Sequence, residues 1–156
     1  MEKPFNRPSL FQVSEISVSY RPNFRASQRP KITSSREAFD ILMDSWDLDR
    51  IELQEQFKII LLNRANRVMG IYEVSSGGIS GTLADPKLIF GTALKCCASG
   101  LILVHNHPSG NLVPSQEDSS ITRKLQSAAA LLDIHLHDHL IICSEGYYSF
   151  ADEGMI

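Results

Sequence analysis

The segment GLILVHNH, residues 100–107, constrains the fold more than any other stretch of this chain. Its first five residues carry no polar side chain, which is typical of a strand buried inside a sheet. The segment ends in His105 and His107, which share one side of the strand because alternate residues point the same way. The sequence therefore predicts a buried strand that delivers two imidazoles to the place where the chain leaves the sheet.

The segments around this strand alternate between helix and strand signals. Helices are predicted where Ser34 or Ser35, and then Asp85, can cap a helix, the second with Pro86 at its first position. The other predicted strands are QFKIILLN, RVMGIYEVS, HLHDHLIICS and GYYSFADEG, the last helix is SQEDSSITRKLQSAAALLD, and SSGGISGTLAD is a loop. This order predicts an α/β (α+β) fold in which helices flank a mixed β-sheet.

Two of these helices show an apolar face in their residue spacing. The core-facing residues predicted for the first helix are Ala38, Phe39, Leu42, Met43 and Trp46. Those predicted for the last helix are Ile121, Leu125, Ala128 and Leu132. Both faces are expected to cover the sheet.

The size of the chain predicts one domain, since 156 residues of which 43% are hydrophobic can build one ordinary core. We place this domain at residues 33–156, after residues 1–32, which hold a predicted strand, FQVSEISVSY, and a basic, proline-containing leader. No apolar run approaches the roughly 20 residues of a membrane-spanning helix. Three cysteines, two of them adjacent, make a poor disulfide framework. We therefore expect free thiols and a cytoplasmic protein without a membrane partner.

The net charge of −3 hides an asymmetry along the chain. Residues 1–36 contain seven basic and two acidic side chains, whereas the remainder contains eight basic and sixteen acidic ones. The leader could contact nucleic acid, but it has no dense basic run and little aromatic interleaving. We expect it to pack on or near its own acidic domain, with nucleic-acid binding weak at most.

The residues after the buried strand predict a metal site. The chain turns at Pro108–Gly110 and starts a helix at Pro114 or Ser115, so Asp118 lies in the first helical turn and can reach the two imidazoles. Two histidines and one carboxylate are a common ligand set for catalytic Zn²⁺, which lowers the pKa of a coordinated water to about 7. A capping box formed by Ser115 and Asp118 would also explain this pair, and capping and ligation can coexist.

A second histidine cluster offers an alternative metal site. His135, His137 and His139 in HLHDH would share one face of a regular strand, and three imidazoles could bind a metal ion by themselves. We favour the cluster of His105, His107 and Asp118, because a strand end, a glycine turn and a helix start occur there in one joint arrangement.

The pattern H-x-H-P-x6-S-x-x-D, formed by His105, His107, Pro108, Ser115 and Asp118, resembles the JAMM signature of JAB/MPN-domain metalloproteins. The longer HNHPSGNLVPSQED, followed by ALLDIHLHDHLII and GYYSFADEG, resembles the RadC-like branch of that family, over roughly residues 33–156. This resemblance implies a single JAB/MPN-like domain with a cytidine-deaminase-like sandwich. It also implies a bound Zn²⁺ and hydrolysis of a peptide or isopeptide amide bond through a metal-bound water.

The resemblance also implies roles for individual residues besides the three metal ligands. Glu55, at the start of the strand after the first helix, matches the family's general acid/base, and Glu52 and Glu73 are its alternatives. Ser115 matches a serine whose hydroxyl helps to stabilise the tetrahedral oxyanion.

Three functional classes follow from these observations: a zinc peptidase or isopeptidase acting on a peptide or protein, a DNA-repair-associated protein, and an inactive MPN-type binding scaffold. Residues 1–32 contain no glycine-rich hairpin of the helix-hairpin-helix kind found before this domain in longer RadC proteins. The acidic domain also disfavours phosphate contacts. Because all the motif residues are present, we favour the hydrolase over the scaffold.

Overall fold

The computed structural model describes Ser14, Ser17 and residues 19–77 and 84–156. The strand predicted in FQVSEISVSY lies largely outside the described residues, as do residues 78–83 of the predicted glycine-rich loop. Four helices and five strands occur in the described part of the chain. In chain order they are α1 (Ser35–Ser45), α2 (Leu48–Ile51), β1 (Gln56–Leu62), β2 (Val68–Ser76), α3 (Pro86–Lys95), β3 (Gly100–Asn106), α4 (Gln116–Leu131), β4 (His135–Cys143) and β5 (Gly146–Ser149), with a short 3-10 turn at Ala26–Gln28.

The helices begin at the capping residues that the sequence indicates. Ser34 accepts a hydrogen bond from the N–H of Glu37 at the start of α1 (3.2 Å). Asp85 caps α3 through the N–H of Lys87 (2.9 Å), with Pro86 at the first helical position, where its missing N–H has no cost. The backbone of Trp46 is extended, which ends α1, and Asp47 caps the short α2, a helix that the sequence did not predict.

The five strands form one mixed sheet in the order β2-β1-β3-β4-β5. β1 pairs antiparallel with β2 and β3, β3 pairs parallel with β4, and β4 pairs antiparallel with β5. The parallel pair is joined by α4, because parallel neighbours need a crossover rather than a hairpin. β3 is therefore a central strand, and it is buried along its whole length, as predicted.

Helices cover both faces of this sheet, which confirms the predicted α/β fold. On one face, the sheet packs against α3 and α4 through a cluster that includes Ile59, Leu101, Leu103, Ile89, Phe90 and Leu125. On the other face, it packs against α1 and α2 through a cluster that includes Ile60, Ile102, Val104, Leu42, Phe39 and Ile51. Alternate residues of β1 and β3 enter opposite clusters, and the apolar run requires this two-sided cover.

The buried face of α4 differs from the predicted one. Its buried residues are Thr122, Leu125 and Ala129, whereas Ile121 and Ala128 lie at the margin of the core. Leu132, predicted to be in the core, follows the end of the helix and is 40% exposed. The helix is rotated so that the polar face containing Asp118 and Thr122 turns towards the sheet, because both side chains have polar partners there.

The predicted last strand is also shorter than GYYSFADEG, since β5 ends at Ser149 and residues 150–154 form turns. Asp138 explains the turn, because it accepts hydrogen bonds from the hydroxyl of Ser149 (2.6 Å) and the N–H of Ala151 (3.0 Å). Phe150 follows directly and is buried.

The described end of the leader lies against the domain. The hydroxyl of Tyr20 donates to the carbonyl of Met69 (2.6 Å), and the carbonyl of Pro30 accepts from the N–H of Val68 (2.9 Å). All three cysteines are free thiols, and Cys143 is buried. None of the helices in the described part of the chain combines the length and apolar character that a membrane crossing requires.

Candidate metal centre

The first imidazole of the site belongs to the end of β3. His105 pairs with Phe57 across β1 and β3, and the two rings stack with their centroids 5.9 Å apart. Only 1% of His105 is exposed. Its Nδ1 lies 2.9 Å from Nε2 of His139, a buried residue on the neighbouring strand β4. Packing and hydrogen bonding therefore both fix the plane of this ring.

The second imidazole is held by the turn that follows β3. The N–H of His107 donates to the carbonyl of Ile142 (3.0 Å), so the backbone still follows β4 at this point. Gly110 then closes a turn onto the carbonyl of His107 with a φ of 77°, a conformation that favours glycine. The chain returns far enough for the carbonyl of Asn111 to accept a hydrogen bond from Nδ1 of His107.

The carboxylate comes from the first turn of α4. Ser115 and Asp118 form a reciprocal capping box, in which Oδ2 of Asp118 accepts from both the N–H and the hydroxyl of Ser115 (2.7 Å each). The other oxygen, Oδ1, lies 3.1 Å from Nε2 of His105. The capping interpretation and the metal-site interpretation of this pair are thus compatible, because the capping box uses Oδ2 and leaves Oδ1 facing His105.

Three acceptor atoms converge between these elements. Nε2 of His105 lies 3.0 Å from Nε2 of His107, which in turn lies 3.6 Å from Oδ2 of Asp118. The Asn111 carbonyl can only accept, so Nδ1 of His107 carries the proton, and in the neutral ring the Nε2 lone pair faces the cluster. One potential ligand atom from each residue lies within 4.8 Å of the others. Atoms at these distances can be bridged by protons or by a metal ion, so the three residues fit a metal ion.

The close approach of these side chains and their burial shift their pKa values. Burial alone would raise the pKa of Asp118, but its hydrogen bonds with the protonated rings of His105 and His107 outweigh burial and hold this pKa well below its usual range. The hydrogen bond with Asp118 raises the pKa of His107, although burial opposes it. Burial, followed by the charge of His105, keeps the pKa of His139 well below its usual value.

Glu55 lies at the same end of the strands as this cluster. β1 and β3 pair Phe57 with His105, and Glu55 precedes this pair by two residues while His107 follows it by two. The negative charge of Glu55 makes the smallest of the contributions that shift the pKa of His107, and this contribution raises it.

The two alternative glutamates are engaged elsewhere. Glu52 accepts a hydrogen bond from the hydroxyl of Ser144 (2.6 Å) at the turn between β4 and β5. Glu73 accepts from the side chains of Gln56 (2.8 Å) and Ser76 (2.6 Å). It also pairs with Lys58, whose ammonium group covers the ring of Trp46 on the face opposite the histidines. Neither glutamate is directed at the metal centre.

The expectation that His135, His137 and His139 share one face of a strand is wrong. The pairing of β3 with β4 passes from Leu136 directly to Asp138, so a bulge at His137 interrupts the alternation. His139 consequently faces the α3–α4 side, as Leu136 does. His137 lies over Gly100 on the other side, with its ring 4.4 Å from that of His135.

Three buried polar residues at the site were not predicted to take part in it. Asn106 accepts from the N–H of Gln56 (2.7 Å) and donates to the carbonyls of Ile51 (2.7 Å) and Gln54 (2.9 Å), so one amide holds the backbone on both sides of Glu55. Thr122 and His139 contact each other behind His105. A signal for Thr122 was present, since it follows Asp118 by four residues and so shares its helix face.

Comparison with models of known protein families matches residues 32–155 to the RadC-like JAB domain. Among curated proteins, a UPF0758 protein of Flavobacterium johnsoniae is 48% identical over 126 residues, which are 80% of this chain and 53% of that protein. A UPF0758 protein of Porphyromonas gingivalis is 42% identical over 137 residues, 86% of this chain and 59% of that protein. A third, from Salinibacter ruber, is 44% identical over 110 residues, 70% of this chain and 46% of that protein. The chain spans about half the length of the curated relatives it matches.

Proposed function

Because the chain belongs to the RadC-like JAB domain family, we propose that it is a zinc-dependent hydrolase that cleaves a peptide or isopeptide amide bond. The observation that carries this proposal is the convergence of His105, His107 and Asp118, whose ligand atoms lie within 4.8 Å of one another. Two imidazoles and a carboxylate suit Zn²⁺ and leave a fourth position open. When bound, Zn²⁺ would supply a Lewis acid that polarises a carbonyl and lowers the pKa of water to about 7.

Glu55 is the general acid/base in this proposal. A base must come within hydrogen-bond reach of the proton that it removes, and the place of Glu55 beside the Phe57–His105 pair, at the same end of the strands as His107, supports such a reach. Glu55 takes a proton from the attacking water and delivers it to the leaving amine. The amide of Asn106 orients Glu55 by holding Gln54 and Gln56, its chain neighbours.

Ser115 is the proposed oxyanion donor. Its hydroxyl lies 2.7 Å from Oδ2 of Asp118 and so borders the ligand cluster. In the structure this hydroxyl donates to Asp118, and it turns to the substrate carbonyl oxygen as negative charge develops there. A hydrogen bond that is made mainly in the transition state accelerates turnover rather than binding.

The experiment that tests the proposal separates metal binding from catalysis. Purified protein is expected to contain about one Zn²⁺ per chain, and His105→Ala or His107→Ala should lose it because two ligands do not suffice. The Glu55→Gln variant keeps the side-chain length but cannot accept a proton. It should fold and bind Zn²⁺ normally, while hydrolysis of a peptide or isopeptide amide found by screening falls by about 10²–10⁴-fold.

Matched variants control each part of this experiment. His135→Ala and His137→Ala remove imidazoles outside the cluster and should retain Zn²⁺. Glu52→Gln and Glu73→Gln alter carboxylates with other partners and should retain activity. Equal zinc content in His107→Ala and the wild type would overturn the metal site. Full activity of Glu55→Gln would overturn only its role as the base.

A further inference from the structure

Behind His105 lie two buried side chains, Thr122 and His139, that have no part in the proposed chemistry. Thr122, His139 and His105 form a row from α4 through β4 to β3, and each is at most 2% exposed. Oγ1 of Thr122 lies 2.6 Å from Nδ1 of His139, and Nε2 of His139 lies 2.9 Å from Nδ1 of His105. Because the row is buried, its polar atoms find their hydrogen-bond partners within the protein.

The direction of the hydrogen bonds in this row is fixed from its Thr122 end. The hydroxyl of Thr122 donates its single hydrogen to the backbone carbonyl of Asp118 (2.6 Å), which can only accept. Oγ1 must therefore accept from Nδ1–H of His139. A neutral His139 that is protonated on Nδ1 has a lone pair on Nε2, so Nδ1–H of His105 donates to it.

The direction of these hydrogen bonds determines the tautomer of His105. With its proton on Nδ1, the neutral ring of His105 has a lone pair on Nε2, the atom that lies 3.1 Å from Oδ1 of Asp118. We propose that Thr122 and His139 are positioning residues that fix His105 in the tautomer able to bind a metal ion through Nε2. This inference rests on the proposed function for its metal ion, whereas the tautomer itself can be measured without one.

The row also connects two of the three candidate ligands, Asp118 and His105, through hydrogen bonds. It begins at the carbonyl of Asp118 and ends at the ring of His105, so the position of α4 bears on both ligands. Phe150 stacks on His139 with ring centroids 4.9 Å apart and an interplanar angle of 13°, which restricts rotation of the intermediate ring. Hydrogen-bonded partners of this kind orient histidine ligands and raise their basicity.

The experiment compares Thr122→Val with Thr122→Ser. Valine keeps the shape of threonine but removes the acceptor for His139, so His139 is expected to carry its proton on Nε2 and donate it to Nδ1 of His105. That change moves the proton of His105 to Nε2, the ligand atom. Zn²⁺ affinity, measured by competition with a chelating dye, should fall by about 10–100-fold in Thr122→Val. Thr122→Ser keeps the hydroxyl and should restore the affinity to within a few-fold of the wild type.

Thr92→Val is the matched control. Thr92 donates to the carbonyl of Leu88 in α3 (2.8 Å), the same bond within a helix that Thr122 makes in α4, but no histidine accompanies it. This variant should bind Zn²⁺ as the wild type does. A loss of affinity equal to that of Thr122→Val would mean that only general helix stability is involved, and would overturn the proposal.

A second measurement distinguishes the positioning role of Thr122 and His139 from the proposed function. In metal-free protein at alkaline pH, long-range ¹H–¹⁵N NMR spectra report which ring nitrogen of each histidine is protonated. Nδ1–H is expected for His105 and His139 in the wild type and in Thr122→Ser, and Nε2–H in Thr122→Val. A wild-type protein with these tautomers but without Zn²⁺ affinity would refute the proposed function alone. Unchanged tautomers and an unchanged Zn²⁺ affinity in Thr122→Val would refute only the positioning role of Thr122 and His139.

Discussion

Asn106 shows how one residue of the HNH segment serves the site from the side opposite the histidines. Its side chain is completely buried and uses the amide oxygen and both amide hydrogens. Its three partners belong to the segment that leads into β1 and carries Glu55. A buried amide with this many partners is expensive to replace, because every partner also loses its hydrogen bond.

We predict that Asn106→Ala lowers the free energy of unfolding by at least about 3 kcal/mol, since a buried polar group without a partner costs about 1–3 kcal/mol and three are created. Urea unfolding of the metal-free protein measures this change. Asn23→Ala is the control, because Asn23 is exposed and should change stability by less than about 0.5 kcal/mol. A loss in Asn106→Ala no larger than in Asn23→Ala would show that the segment before β1 does not depend on this amide.

At the scale of elements, α4 combines a structural role and a proposed functional role at its first turn. The reciprocal bonds between Ser115 and Asp118 cap the helix, and the same carboxylate faces His105. α1 begins with a comparable serine cap, in which Ser34 accepts from the N–H of Glu37. Both helices therefore begin with a serine cap, but only the cap of α4 lies beside the candidate metal centre.

We predict that Ser115→Ala and Ser34→Ala each lower the free energy of unfolding by about 1 kcal/mol, the usual cost of losing a serine cap. Only Ser115→Ala should also lower kcat, by about 10²–10³-fold, because it alone removes a proposed oxyanion donor. Thermal unfolding and steady-state kinetics measure the two effects. If kcat fell equally in both variants, helix stability would explain the loss and Ser115 would have no catalytic role.

The same scale explains what the sequence could predict. The caps at Ser34, Asp85 and Ser115 and the apolar run of β3 are local signals, so the helix starts and the buried strand followed from neighbouring residues. The bulge at His137 is not local, since it exists only in the pairing of β4 with β3. Strict alternation therefore assigned His139 to the wrong face.

At the scale of the whole molecule, the candidate metal centre depends on contacts between distant parts of the chain. The three candidate ligands, His105, His107 and Asp118, lie within one short stretch of sequence with a recognisable pattern. They could therefore be identified together from the sequence. Asn106 and His139 could not, because their partners lie 55 and 34 residues away in the chain and depend on the order of strands in the sheet. Pattern thus identified the candidate ligands, and only the assembled sheet revealed the groups that hold them.

The pH dependence of folding should expose the competition between a proton and a metal ion at this centre. The folded-state pKa of His107 is raised, mainly by its hydrogen bond with Asp118, above the unfolded value of about 6.5. Protonation of His107 therefore stabilises the metal-free protein fully below about pH 6.5, and this contribution is lost as the pH rises through the raised pKa. A metal ion needs the neutral ring, so its affinity changes in the opposite sense.

We predict that the difference in unfolding free energy between the zinc-bound and the metal-free protein grows as the pH rises from about 6 towards the raised pKa of His107. The growth should approach about 1.4 kcal/mol per pH unit for each proton that Zn²⁺ displaces. Denaturant unfolding at fixed free Zn²⁺, with a chelator in the parallel series, measures this difference. His137→Gln removes an imidazole outside the cluster and should leave the slope unchanged, whereas His107→Gln should abolish both the slope and the stabilisation by Zn²⁺. A zinc-dependent stabilisation that is independent of pH in the wild type would mean that His107 is not a ligand, because no proton would then be displaced when the metal ion binds.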